Sequence, residues 1–198
     1  TGGKTILLAC LCAGISVIFC IMLHSFGKVF KTFSSNSYER VFFGGTVILC
    51  ITLILGTTRY SGTGIEVIAS AIGGTARNSD FFWKMLFTAI TLACGYKGGE
   101  IIPSFFVGAT FGCVIAPVLG LSSSLGAAIG MVSVFCGVTN CPIASLLIAL
   151  ELFGKAPILY FLLAIAISYM LSGYYSLYKT QIIAVSKYKN EYVDKKTH

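Results

Sequence analysis

Six consecutive residues in the most apolar part of the chain have the types and spacing to hold a small anion: Gly98, Gly99, Glu100, Ile101, Ile102 and Pro103. Proline suits the first turn of a helix, because its missing N–H would have no partner there. The free N–H groups that begin a helix carry partial positive charge. Glycine lets the backbone come close to a ligand. Together Gly99 to Pro103 reads as an anion-binding helix start at membrane depth. Selection would then come from main-chain dipoles, whereas a fixed Lys or Arg would hold a permeating anion too tightly to release it. On local physics alone a second reading stands level with this one: a helix-breaking loop that only turns the chain.

Two acids need an account. Glu100 beside an anion path is repulsive if ionised. It must point away, cap a helix, pair with Lys97, or be protonated, and burial raises a carboxyl pKa. Glu151 follows a long uncharged run, and an acid inside a membrane is costly and a functional candidate by default. Lys155 lies four residues on, however, so an i,i+4 ion pair is the favoured reading.

The elements that would position these residues are membrane helices. The chain is 56% hydrophobic and only 11% charged, against roughly 25% charged in soluble domains. Residues 101–150 contain no Asp, Glu, Lys, Arg or His. The reading is an all-α, polytopic membrane protein forming one transmembrane region over 1–198. Full-length helices are expected over about 5–31 and about 38–57, a short amphipathic piece near 64–72, and a third helix over about 80–95 that Asp80 can cap. A helix from Pro103 is expected to stop at Pro117, spanning about 22 Å against roughly 30 Å of hydrocarbon. Further helices are expected over about 121–138, from Pro142 to Phe153, over about 157–172 and near 177–190. Short, broken helices are the sequence pointer to a transport site. No internal repeat is evident.

Net charge +7 does not point to nucleic acid. Lys28, Lys31 and Arg40 flank one loop, and Lys179, Lys187, Lys189, Lys195 and Lys196 crowd the C-terminus. That is the positive-inside pattern, and it makes 187–198 a basic cytoplasmic tail. The eight Cys and two His show no zinc spacing, so no metal or other cofactor is expected, and the Cys read as small packing residues. An intramembrane enzyme is not expected: HExxH and Gly-x-Ser-x-Gly are absent, and His24 and His198 lie near the chain edges. A secondary transporter for another anion and a non-conducting membrane fragment remain as alternatives. Thr1 and the missing leader read as the edge of a longer polypeptide.

Four ordered segments carry a family resemblance. "GGEIIPSFFVGATFG" (98–112) resembles the GxFxP segment of CLC chloride channels and anion/proton antiporters, which reads approximately GGIFAPSLFIGAALG. "YSGTGIEVI" (60–68), "TNCPIASLLIALELFG" (139–154) and "YYSLYKTQI" (174–182) resemble further family segments in the same order. The resemblance covers the second inverted half of a CLC-type subunit. It implies chloride or fluoride as the transported ion, protons as a possible coupled ion, and a homodimer built on the helices holding Ala144, Ser145, Ala149, Ala164 and Ala166. It also implies an N-terminal half carrying the gating glutamate. Carried over, the backbone N–H groups of Glu100, Ile101 and Ile102 face the anion, and the Tyr178 hydroxyl donates to it. Two departures stand out. Ile101 replaces the family's Phe, whose part could pass to Phe105 or Phe106. Glu100 replaces an apolar residue, as in the fluoride-exporting bacterial branch.

Overall fold

The computed structural model describes residues 2–33, 36–178, 180–188 and 191–197. Among the described residues eight helices follow in order: α1 (Gly2–Phe33), α2 (Ser37–Leu55), α3 (Ile65–Ile72), α4 (Asp80–Ala93), α5 (Ile101–Val118), α6 (Ser123–Thr139), α7 (Pro142–Phe153) and α8 (Ile158–Leu171). A two-stranded antiparallel hairpin ends the chain, β1 (Ile182–Val185) against β2 (Tyr192–Lys196). By length and composition α1, α2 and α5 can each cross a membrane. The helical bundle follows the sequence reading, with helix ends mostly within two residues of expectation.

Two expectations are corrected. Pro117 does not stop α5: the helix starts two residues before Pro103 and runs to Val118, so it has 18 residues. Its length is therefore about 27 Å, nearly a full crossing. Pro117 lacks the N–H that would donate to the Cys113 carbonyl, and the helix ends one residue later. Among the described residues of 177–190 the expected helix does not form, and Ile182–Val185 is a strand. Its Ile182, Ile183 and Val185 are β-branched, which favours strand, and Ile182 pairs with Lys196 and Ile183 with Lys195 along the ladder.

The core sits around α6. On α1, Leu8, Cys12, Phe19 and Cys20 are fully buried, and with Ile129, Val132, Phe161 and Ala164 they form one apolar cluster. A second cluster joins Tyr60, Val67 and Ile68 to Phe106, Ala109 and Met131. α5 and α6 cross at unusually short range through two matched glycine pairs. A Cβ on Gly108 would sit 2.8 Å from Met131 Cα, and one on Gly112 would sit 2.8 Å from the Gly126 carbonyl carbon. Gly108 and Gly112 lie four apart on α5, and Gly126 and Gly130 lie four apart on α6. Without a hydrophobic force between helices in lipid, such close backbone packing is a main source of association. The crossing fixes the position of α5, whose N-terminus is the candidate site.

Candidate anion site

Helix α5 begins where the sequence places it. Glu100 is the N-cap, with no side-chain cap bond of its own. The first cap bond runs from Ser104 N–H to Glu100 O at 3.2 Å. The amides of Ile101 and Ile102 precede it, and Pro103 has none to offer. First-turn donors therefore remain for a ligand.

A groove of about 480 Å³ opens at this start, lined by Gly98, Gly99, Glu100, Ile101, Leu177, Tyr178 and Thr180. Among the described residues no lysine or arginine lines it; Lys179, between Tyr178 and Thr180, lies outside them. Tyr178 is thus brought from the far end of the chain to face the helix start across more than seventy residues of sequence. Its backbone is held in place by α6. Leu177 N–H donates to Val138 O at 2.9 Å. Asn140 Nδ2 donates to Tyr175 O at 2.9 Å, and Gln181 Nε2 to Thr139 O at 3.1 Å. These donors take up carbonyls and loop groups at the C-terminus of α6, where intrahelical partners run out. Asn140 itself adopts the left-handed conformation at φ 57°, which asparagine tolerates better than most residues. It ends α6 and satisfies loop backbone, as its place before Pro142 suggests.

Not every expected residue joins the groove. Ile102 and Pro103 line a neighbouring cavity of about 510 Å³, together with Tyr60, Lys84 and Thr88. Gly98 and Gly99 line both spaces and form the wall between them. A Cβ on Gly99 would meet nothing within 4 Å. Neither glycine is held at positive φ. Packing and backbone angle therefore do not demand glycine here. Phe106 is fully buried and Phe105 packs on Phe135, ring centroids 4.9 Å apart; neither lines the groove.

The structure excludes an ion pair for each of the two acids among the described residues. Among the described residues Glu100 has no ion-pair partner, so the Lys97 bridge is not made. Glu151 is exposed and does not pair with Lys155. The reason is local: α7 ends at Phe153, and Gly154 turns the chain at φ 73°, ψ −171°. Lys155 is then off the helix, and i,i+4 spacing no longer places it beside Glu151.

The sequence reading missed two buried cations. Lys84 is 2% exposed, and its Nζ donates to Gly62 O at 2.6 Å and Tyr60 O at 3.2 Å. Its position inside the apolar run of α4 was the available signal. One turn earlier, Asp80 does not serve as a helix cap. It is fully buried, accepts from Arg59 at 3.0 Å and Tyr60 Oη at 2.8 Å, and Ser79 is the N-cap instead. Lys187, expected in a solvated tail, is 9% exposed. It donates to Asn140 Oδ1, to Tyr169 O at 2.8 Å and to Ser172 Oγ at 3.2 Å. Burial lowers its ammonium to about 8. Lys179 and Lys189 lie outside the described residues.

Three comparisons bear on this geometry. Residues 3–173 match the family described as voltage gated chloride channel. The chain is 35% identical over 178 residues to a "Chloride/fluoride channel protein" of Pseudomonas syringae pv. tomato (strain ATCC BAA-871 / DC3000), covering 87% of this chain and 39% of that protein. A crystal structure of a CLC-type fluoride/proton antiporter superposes with TM-score 0.85 at 28% identity, covering 88% of this chain and 45% of the other. The chain thus spans less than half the length of each relative. With the match running through nearly all of α1 to α8, the chain belongs to the voltage gated chloride channel family.

Proposed function

We propose that the chain forms one half of a small-anion transport unit, with chloride or fluoride held between the first turn of α5 and the Tyr178 hydroxyl. The observation that carries this reading is the groove that Glu100, Ile101 and Tyr178 share at the first turn of α5. A neutral phenol and main-chain N–H groups donate without adding charge, so an anion can be bound and released. Gly98 and Gly99 give it room, and the work is transport without covalent chemistry. Glu100 at the groove edge is the candidate for proton coupling and for fluoride over chloride, because a protonated carboxyl becomes a donor. The chain covers 39% of the Pseudomonas relative, which is consistent with a further half that completes the site.

The unit is a homodimer in this reading. Ser145, Ala149 and Ala164 are spent on packing inside the chain, while Ala144, Ala166 and the exposed Ile143, Leu147 and Leu159 remain on α7 and α8 for a second copy. The protein lies in the cell membrane with its C-terminus cytoplasmic, a reading supported by the lysine bias of 179–196.

The test is ion flux from liposomes carrying the intact subunit, wild type against Glu100→Gln. The expected result is a changed fluoride/chloride flux ratio and a lost dependence on acid pH. An identical ratio at acidic and neutral pH makes Glu100 structural, and no anion flux from wild type overturns the reading.

A further inference from the structure

Among the described residues the buried charge of Lys84 has no counter-ion. The nearby carboxylate is already committed: Asp80 accepts from Arg59, from Tyr60 Oη and from Arg77 N–H at 3.2 Å. Lys84 finds two backbone carbonyls and the face of Phe106, its Nζ 5.1 Å from the ring centre. An ammonium has three donors, so one remains. Among the described residues no acid lines the cavity of about 510 Å³ that Lys84 lines. A buried cation left with dipoles alone is expensive, and an ionisable group kept inside a membrane protein marks an ion site by default.

The second observation is the wall. Gly98 and Gly99 separate this cavity from the Tyr178 groove, and their side-chain space is largely open: Leu92 approaches a Cβ on Gly98 only at 3.9 Å. A monovalent anion beside Lys84 would neutralise it and lie one diglycine wall from the helix start. We propose that the Lys84 cavity is a second anion site, a side chamber that holds a weakly hydrated monovalent anion beside the diglycine wall and off the transport path. This rests on the anion-transport reading for the groove beyond that wall. The walls favour weak hydration: Ile48, Phe87, Leu92 and Ile102 replace water with apolar surface, which costs a large halide less than fluoride. Ser61 and Thr63 add hydroxyls at the rim.

The experiment is anomalous diffraction from the full chain crystallised in bromide, wild type first, then Lys84→Met and Lys84→Arg. A bromide peak within hydrogen-bond reach of Lys84 Nζ is expected. Lys84→Met should abolish it while leaving the groove peak, and Lys84→Arg should restore it. In solution Lys84→Met should weaken bromide binding at this site roughly tenfold or more, the scale of a lost hydrogen bond to a charged group. A filled groove with an empty cavity overturns this inference and leaves the transport reading standing. Bromide in neither space overturns both. Detergent or lipid density in the cavity also overturns it. If Lys84→Met fails to fold, the wild-type map alone decides.

Discussion

Gly112→Ala drives a methyl group into the backbone of α6. A Cβ there would stand 2.8 Å from the Gly126 carbonyl carbon and 3.0 Å from Gly130 Cα, against 3.4 Å for ordinary contact. The helices must separate by about 0.6 Å at the least, because neither obstacle is a side chain that can rotate away. Overpacking of this kind costs roughly 1–3 kcal/mol, and a backbone obstacle places it near 3. The contrast is Gly99→Ala, whose Cβ meets nothing within 4 Å. Its stability should stay within about 0.5 kcal/mol of wild type. Thermal unfolding in detergent separates the two. Gly112→Ala should lower the midpoint by roughly 6–12 °C for a chain of this size, and Gly99→Ala should not move it. Anion flux should nevertheless fall in Gly99→Ala, since the methyl narrows the space beside Tyr178. A Gly112→Ala protein as stable as wild type would refute the close crossing of α5 and α6. A destabilised Gly99→Ala would refute the reading that packing does not demand glycine there.

Tyr178→Phe removes one donor to the bound anion. Affinity measured by calorimetry on the intact subunit should fall roughly tenfold or more, and unchanged affinity would remove Tyr178 from the site. Asp80→Asn strips the counter-charge from Arg59, which is 27% exposed. That partial hydration keeps the loss to about 3 kcal/mol, the low end for a broken buried pair, and an unaltered unfolding midpoint would refute it. For Lys187 the folded value is near 8 and the unfolded value 10.5. Below 8 both states are charged and the burial penalty is constant. Between about 8 and 10.5 the unfolded chain binds more protons, so docking of the hairpin gains stability as pH rises through that window. Hydrogen exchange of the β1 and β2 amides should slow relative to the intrinsic rate across that range. Equal protection on both sides of it would sink the claim.

Lys84 and Tyr178 show what was legible beforehand and what was not. The membrane class, the helices and their breaks follow from local properties. Fifty residues without charge, and Pro103, Asn140 and Gly154 at backbone angles or positions that end or start helices, act over a few residues each. The Gly98–Pro103 helix start was readable for the same reason, since a proline and free first-turn amides are local features. The i,i+4 reading of Glu151 and Lys155 failed because it assumed a helix that Gly154 ends. The final helix failed because three β-branched residues and a partner strand outweighed a helical extrapolation.

What the sequence alone determined was the class, the element order and the point where α5 begins, because each depends on residues within a turn or two of one another. Only the tertiary structure decided that Tyr178 faces that point, that Gly112 and Gly126 meet, that Lys187 bonds the Asn140 side chain and the last turn of α8, and that Lys84 lines a cavity without an acid among the described residues. These are relations between groups far apart along the chain. They arise when packing brings distant backbone into contact, and periodicity or spacing within one segment carries no record of them.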